Sequence, residues 1–346
     1  MTAVSAFPQF RRSRWWTFVI RPLLLLLVSF LVARALVSLV GSVDWQQVWV
    51  ALQKLSWAQA PLLIALLVLR QSCNAVPLAR FVPGLGLWRG LQNDLTANLL
   101  GTVAPPPSDI AVRVSMFRSW GISGVDGMPG VVLNSLVFYV IRFTVPALGV
   151  VLLLGEDLTG ARLWLAAGSL LVAALMVTGL VVVSRGERAA RVLGAKAGRV
   201  VSWFRTGVDP QVWGVSVATF RATMSQRLVR GLPGSMAALT AMVLTDGCIV
   251  LVALRLVGVP GSQLPPRVVL GTFLLVYPLT ALPLAGLGVL DASLVVAYTE
   301  VAGVAAEPAI VAGLVLWRVV TILGALALGG LALGWWRWHL RRHPLV

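Results

Sequence analysis

The apolar residues of this chain come in long blocks separated by short polar stretches. Six blocks reach the roughly 20 residues that cross ~30 Å of hydrocarbon at about 1.5 Å per residue. They run approximately 16–41, 58–80, 129–154, 161–184, 233–256 and 309–335. The pattern predicts an all-α polytopic membrane protein with about six full transmembrane helices.

Two further apolar stretches are broken in the middle by residues that end helices. The first, about 90–120, is interrupted at Ala104-Pro105-Pro106-Pro107-Ser108-Asp109. Consecutive prolines remove backbone donors and forbid a helix that runs straight through. Arg80 and Arg89 precede this stretch and Arg113 and Arg118 lie beyond the break, so both ends belong on one side and a re-entrant hairpin is expected. The second, about 266–304, breaks at Pro283-Leu284-Ala285-Gly286-Leu287-Gly288, and span counting makes it enter and leave on the opposite side. Broken backbone at membrane depth is tolerated only where protein or a water-filled cavity surrounds it. Two breaks, one from each side, suggest the inverted repeat that builds transporter sites. Phe138-Tyr139-Val140-Ile141-Arg142 after the first break and Leu314-Val315-Leu316-Trp317-Arg318 after the second support such a repeat.

Composition sharpens the class. Of 346 residues, 58% are hydrophobic and 12% charged, against roughly 25% charged in a soluble domain. The first block follows Arg11, Arg12 and Arg14 but continues without an Ala-x-Ala cleavage site, and it reads as a retained signal-anchor. The whole chain, 1–346, is expected to be one transmembrane domain: a first half at about 16–184, a basic connector at about 185–232 and a second half at about 233–335.

Charge fixes the expected orientation. The formal net charge is +16, from 28 basic and 12 acidic residues. Such an excess would also suit a nucleic-acid binder, but the basic residues sit between blocks, which points to orientation in the membrane and to anionic lipid headgroups instead. The segment from Arg185 to Arg230 holds eight arginines and Lys196, whereas the loops near Asp44 and Glu156-Asp157 are nearly free of basic charge. Both termini and the connector are therefore expected in the cytoplasm, with the tail marked by Arg337, Arg341 and Arg342. Within the connector, Arg188, Arg191, Lys196 and Arg199 alternate with Ala, Val and Leu, as in an interfacial helix on an anionic leaflet, although a plain linker accounts for them too. Trp15, Trp16, Trp335, Trp336 and Trp338 mark block ends, where aromatic rings anchor at the interface.

Cys73 and Cys248 lie inside blocks and show no metal-ligand spacing, and His339 and His343 are confined to the tail. No catalytic residue, metal site or cofactor is expected. The chemistry is expected instead of charges at membrane depth, where each costs at least ~2.5 to 3.5 kcal/mol on insertion scales. Arg70, Arg142, Arg318 and Asp246 fall near the middle of blocks, and Asp109, Arg113 and Asp291 border the breaks. Arginine suits a lipid phosphate because its planar fork donates several hydrogen bonds and stays ionised. The half-helix N-termini at the breaks favour an anion. The aspartates would balance the arginines, hold a cationic headgroup or take up a proton. The plainer reading is a set of internal ion pairs, such as Asp109 with Arg142 or Asp291 with Arg318, that lock helices together. Asn74, Asn93, Asp94, Asn98 and Asn134 add polarity that interhelical hydrogen bonding explains.

The stretch Asn98-Leu99-Leu100-Gly101 to Arg113, then Phe117-Arg118-Ser119-Trp120-Gly121-Ile122-Ser123, resembles a family pattern of proline and small residues, an acid, an arginine and a Gly-Ile-Ser-like turn. Tyr277-Pro278 and Leu282-Pro283 to Asp291, with Arg318 downstream, resembles that family's second break. Together they are similar to the transmembrane region of lysylphosphatidylglycerol synthase/flippase proteins. The resemblance implies translocation of a lipid across the cytoplasmic membrane. In two-part members a separate soluble domain transfers lysine to phosphatidylglycerol, and here the sequence ends soon after its last block, so transport without that transfer is expected. Asn134-Ser135 and Phe138 stand where the family usually shows a Glu-Arg pair and an aspartate. Asp291 replaces a common glutamate, and Leu284-Ala285 replaces glycine.

These departures leave the substrate open between an anionic or aminoacylated phospholipid and a polyprenyl-phosphate-linked lipid. Self-association as a homo-oligomer is compatible with the sequence. Two other classes fit the sequence as alternatives. One is a membrane-embedded enzyme of glycolipid or envelope assembly using Asp94, Asp109 or Asp126; the other is a scaffold recruiting partners through the basic connector.

Overall fold

The structure, a computed structural model, describes residues 45–53, 57–105, 107–156, 160–204 and 209–342. The expected signal-anchor at 16–41 and Pro106 lie outside the described residues, as does Asp157.

The described chain is helical throughout, with no strand among its described residues. We number the α-helices α1 (Trp45–Gln53), α2 (Ala60–Phe81), α3 (Gly86–Val103), α4 (Ser108–Ser119), α5 (Gly124–Thr144), α6 (Pro146–Leu152), α7 (Gly160–Arg185), α8 (Glu187–Phe204), α9 (Pro210–Leu256), α10 (Pro266–Val276), α11 (Val289–Ala302), α12 (Glu307–Arg318) and α13 (Ala325–Arg342). Five helical stretches are long and apolar enough to cross a membrane: Ala60–Phe81, Asp126–Leu152, Leu163–Val181, Arg230–Leu256 and Val304–Arg342. They coincide with the five expected blocks that fall within the described residues. A lipid-facing surface explains why Leu62, Ile64, Trp164, Leu171 and Leu175 point outward: apolar side chains need no protein cover when hydrocarbon is the solvent.

The core lies along α9, α10, α11 and α12, where Leu239, Met242, Val243, Ile249, Leu254, Phe273, Leu274, Leu294, Tyr298 and Trp317 form one cluster. Helix α9 packs along α2 and meets α12. Glycine makes the closest approaches, as expected where helices gain little from apolar burial against lipid. A Cβ on Gly149 of α6 would stand 2.7 Å from the Gly271 carbonyl oxygen of α10, so the two backbones touch. Gly231 and Gly234 of α9 do the same against the Phe81 ring and the Arg80 guanidinium.

Helix α9 runs for 47 residues straight through Pro233. The polar connector therefore does not end before the span begins, as the apolar pattern suggested. The helix enters the bundle already formed. Helix α8 is amphipathic as expected, with Arg188, Arg191, Lys196 and Arg199 exposed, but it packs against the first half of α9. A Cβ on Gly214 of α9 would lie 2.7 Å from the Arg191 carbonyl oxygen. The connector is thus an antiparallel two-helix arm rather than a lone surface helix or an unstructured linker.

Both broken stretches fold as helical hairpins. In the first, α3 and α4 pack antiparallel across the proline break, and the Ser108 hydroxyl donates to the Leu100 carbonyl at 3.0 Å, capturing an acceptor freed by the end of α3. In the second, α10 leads into two 3₁₀ turns, Tyr277–Ala281 and Pro283–Gly286, and then α11. Ala285, Gly286 and Gly288 all have positive φ, at 55°, 70° and 86°. Glycine accepts this conformation without strain, whereas Ala285 does not. The Tyr298 hydroxyl donates to the Val269 carbonyl at 2.9 Å and fastens the two arms.

Candidate functional site

Among the described residues one ion pair lies in the first hairpin, one in the core and one between the second hairpin and α12, while the exposed Arg267 of α10 also pairs with Glu156 at 2.6 Å. In the core, Arg70 of α2 donates from Nη2 to Asp246 Oδ2 of α9 at 3.0 Å, and the Trp317 indole of α12 donates to Asp246 Oδ1 at 2.8 Å. Asp246 is 3% exposed. Three helices converge on one carboxylate whose charge is matched and whose oxygens are both bonded, which is what makes an ionised group tolerable there. Phe273 closes the junction edge-on against Trp317, with ring centroids 5.6 Å apart.

In the second hairpin, Asp291 sits in the first turn of α11. It accepts the Gly288 backbone N–H at 2.8 Å and a bidentate pair from Arg318, Nε to Oδ1 at 2.8 Å and Nη2 to Oδ2 at 3.0 Å. The expected Asp291 with Arg318 lock is therefore present. Pro283, Gly286 and Gly288 belong to the turns that present Asp291.

The first hairpin departs from this scheme. Asp109 lies in the equivalent first turn of α4, but it is not joined to Arg142. Arg113 instead reaches across the hairpin, donating to Asp94 Oδ1 and Asn93 Oδ1, each at 2.9 Å, while Asn74 of α2 donates to Asp94 Oδ2 at 2.6 Å. Asp109 makes no ion pair or side-chain hydrogen bond with the described residues. Pro105 and Pro107 flank the turn that precedes it. Arg142 of α5 has no acidic partner within 4.0 Å among the described residues. Its guanidinium stands over the Phe138 ring at 4.5 Å and the Tyr139 ring at 4.9 Å, and its Nε is buried without a partner.

A polar cavity of about 510 Å³ opens between α2, α3, α4 and α5. Arg70, Asn74, Asp94, Asn98, Asp109, Arg113, Asn134 and Tyr139 are among its walls. Four of the seven expected site residues fall outside or apart from it: Arg142 lies behind its aromatic wall, Asp246 beneath Arg70, and Asp291 with Arg318 in the other hairpin. The Asn134 amide oxygen is buried with no partner, the kind of acceptor that a water or ligand donor satisfies.

Gln71 and Trp317 were not singled out from the sequence, and Asp94 was named there only as a candidate acid of the enzyme reading and not among the lipid-headgroup residues. A signal for Asp94 existed. Asp94, Asn98, Gly101 and Thr102 follow one another at helical spacing on α3 and all line the cavity. Taken singly each polar residue looks like an interhelical bond; taken together they form a face.

An all-α bundle with apolar spans, glycine-mediated helix contacts and paired charges in its interior defines a polytopic membrane protein. The family model described as "Lysylphosphatidylglycerol synthase TM region" matches residues 19–329, and the chain belongs to that family. Comparison with curated proteins and with solved structures returns no match.

Proposed function

We propose that this chain is a flippase-like transporter that moves a phosphate-bearing lipid, an anionic or aminoacylated phospholipid or a polyprenyl-phosphate-linked lipid, across the cytoplasmic membrane without altering it covalently. The observation that supports this reading is the charged cavity within an otherwise apolar bundle. Charges at membrane depth are costly, and a structural bundle gains nothing from leaving Asp109 without a partner beside such a space. Arg70 and Arg113 each keep part of the guanidinium fork directed to carboxylates, which holds them in place to meet a phosphate. Arg142 stands ready behind Phe138 and Tyr139.

In this reading the two helical hairpins are re-entrant, entering from opposite sides as halves of an inverted repeat, and rocking of one against the other exposes the cavity alternately. The termini face the cytoplasm, and the exposed basic side of the α8 arm lies toward anionic headgroups.

Reconstitution in vesicles with fluorescent phosphatidylglycerol and aminoacylated phosphatidylglycerol tests the proposal. Wild type is expected to speed exchange between leaflets, and Arg142→Ala and Asp109→Asn are expected to slow it. Equal exchange in wild type, both variants and protein-free vesicles would overturn it.

A further inference from the structure

A second cavity of about 860 Å³ adjoins the polar one. Both volumes lie in the roughly 300 to 1,000 Å³ range of ligand sites. The two cavities share walls: Gln71 of α2 and Leu95 of α3 line both. Their chemistry is opposite. The second is a groove between α2, α3 and α13 walled by Val68, Leu91, Leu328 and Leu331, with Trp88, Trp335 and Trp338 also among its lining residues.

Two glycines of α13, Gly330 and Gly334, line the groove. A Cβ built on Gly330 or Gly334 would meet nothing within 4 Å. These positions are therefore not required for helix packing, unlike Gly329 one residue away, where a Cβ would stand 2.7 Å from the Leu95 carbonyl oxygen. Glycine costs a helix interior about 0.5 to 1 kcal/mol relative to alanine, and at Gly330 and Gly334 the packing returns nothing for that cost. Their effect is to leave space.

From this juxtaposition we infer that the groove is the acyl-chain subsite of a phospholipid whose headgroup occupies the polar cavity, with Gly330 and Gly334 as its floor and Gln71 and Leu95 at the boundary between the two. The inference rests on the transport reading above and names the part of the substrate it leaves unassigned. An amphiphile needs a polar chamber and an apolar one in contact, and these two cavities meet that need at a shared edge.

The experiment uses the full chain in phosphatidylglycerol vesicles doped with a phospholipid carrying a diazirine on one acyl chain, with crosslinked peptides mapped after irradiation. Labelling of wild type is expected to concentrate on 328–338, above the lipid-facing side of α7. The Gly330→Leu/Gly334→Leu variant is expected to lose most of that labelling and Gly330→Ala/Gly334→Ala to retain it, while Asp109→Asn, at the far end of the site, lowers it. Labelling no greater than on α7, or unchanged by leucine, would assign the groove to ordinary bilayer lipid and overturn the inference. So would a groove that stays unlabelled while cysteines placed in 16–41 crosslink to α13, because the occupant would then be the chain's own first apolar block. Exchange measured on the same vesicles separates the two proposals: selective labelling without exchange keeps the subsite and refutes transport, and exchange with uniform labelling does the reverse.

Discussion

The two broken hairpins begin from the same chemistry and end in different states. Each places an aspartate in the first turn of its second arm, and each is followed by a helix carrying an arginine. In the second hairpin the two meet: Asp291 is held by Arg318 and by the Gly288 N–H, and α10 is buried from Val268 to Val276 except for Leu270. In the first they do not. Arg113 turns inward to Asp94, so the ion pair is internal to the hairpin, and Asp109 is left at the edge of a cavity. The second hairpin is bolted to α12, whereas α4 is fastened mainly to α3. Among the described residues the first hairpin therefore makes no ion pair to the core, and what ties its charged end to α2 is the hydrogen bond from the neutral Asn74 side chain to Asp94.

That contrast can be broken at its strongest point first. Asp291→Ala leaves the half-buried Arg318 without its partner; breaking a fully buried pair costs about 3 to 5 kcal/mol, and a loss toward the lower end of that range, the largest of the three, is expected in a thermal melt in detergent. Arg113→Gln removes the pair inside the first hairpin but keeps a donor for Asp94. A loss of about 1 to 3 kcal/mol is expected, measured by the same melt, and it tests whether that hairpin depends on its own lock. Asp109→Asn has no bonded partner to lose. Stability within about 0.5 kcal/mol of wild type is expected, so any slowing of lipid exchange reports on the site rather than on folding. If Asp109→Asn destabilises as much as Asp291→Ala, the two hairpins are equivalent and the distinction between them fails.

Much of this was legible in the sequence, because the physics that sets it is local. Apolar length located the spans, and the prolines at Pro105 and Pro107 and at Pro283 located the turns. Asp291 with Arg318 was an expected pair because both residues were already conspicuous near a break. Arg70 with Asp246 was not, since 176 residues separate them and nothing local relates α2 to α9. The Trp317 indole was hidden for another reason: in an apolar helix a tryptophan looks like packing until its N–H meets an acceptor. The partner of Arg113 was missed because Asp94 lies among asparagines that each have an ordinary explanation. Continuity of α9 through Pro233 was also invisible, because the packing that surrounds the proline, with Gly231 and Gly234 against Phe81 and Arg80 of α2, joins residues about 150 apart in the chain.

One detail of α12 reaches further than its size. Directly after Arg318, Val319–Gly324 form a π-helical segment before α13 resumes the α form. A π turn inserts one residue beyond the α repeat, and one residue is about 100° of rotation about the axis. The segment therefore acts as a phase shifter between the two ends of a single membrane-crossing rod. Upstream of it the rod points Trp317 at the Asp246 junction; downstream it points Gly330 and Gly334 at open space. If the same residues wound as an α-helix, the face carrying Gly330 and Gly334 would turn by about 100° relative to the Trp317 junction, so the π turn sets which side of the rod's second half lines the groove while its first half stays fixed on the ion pair.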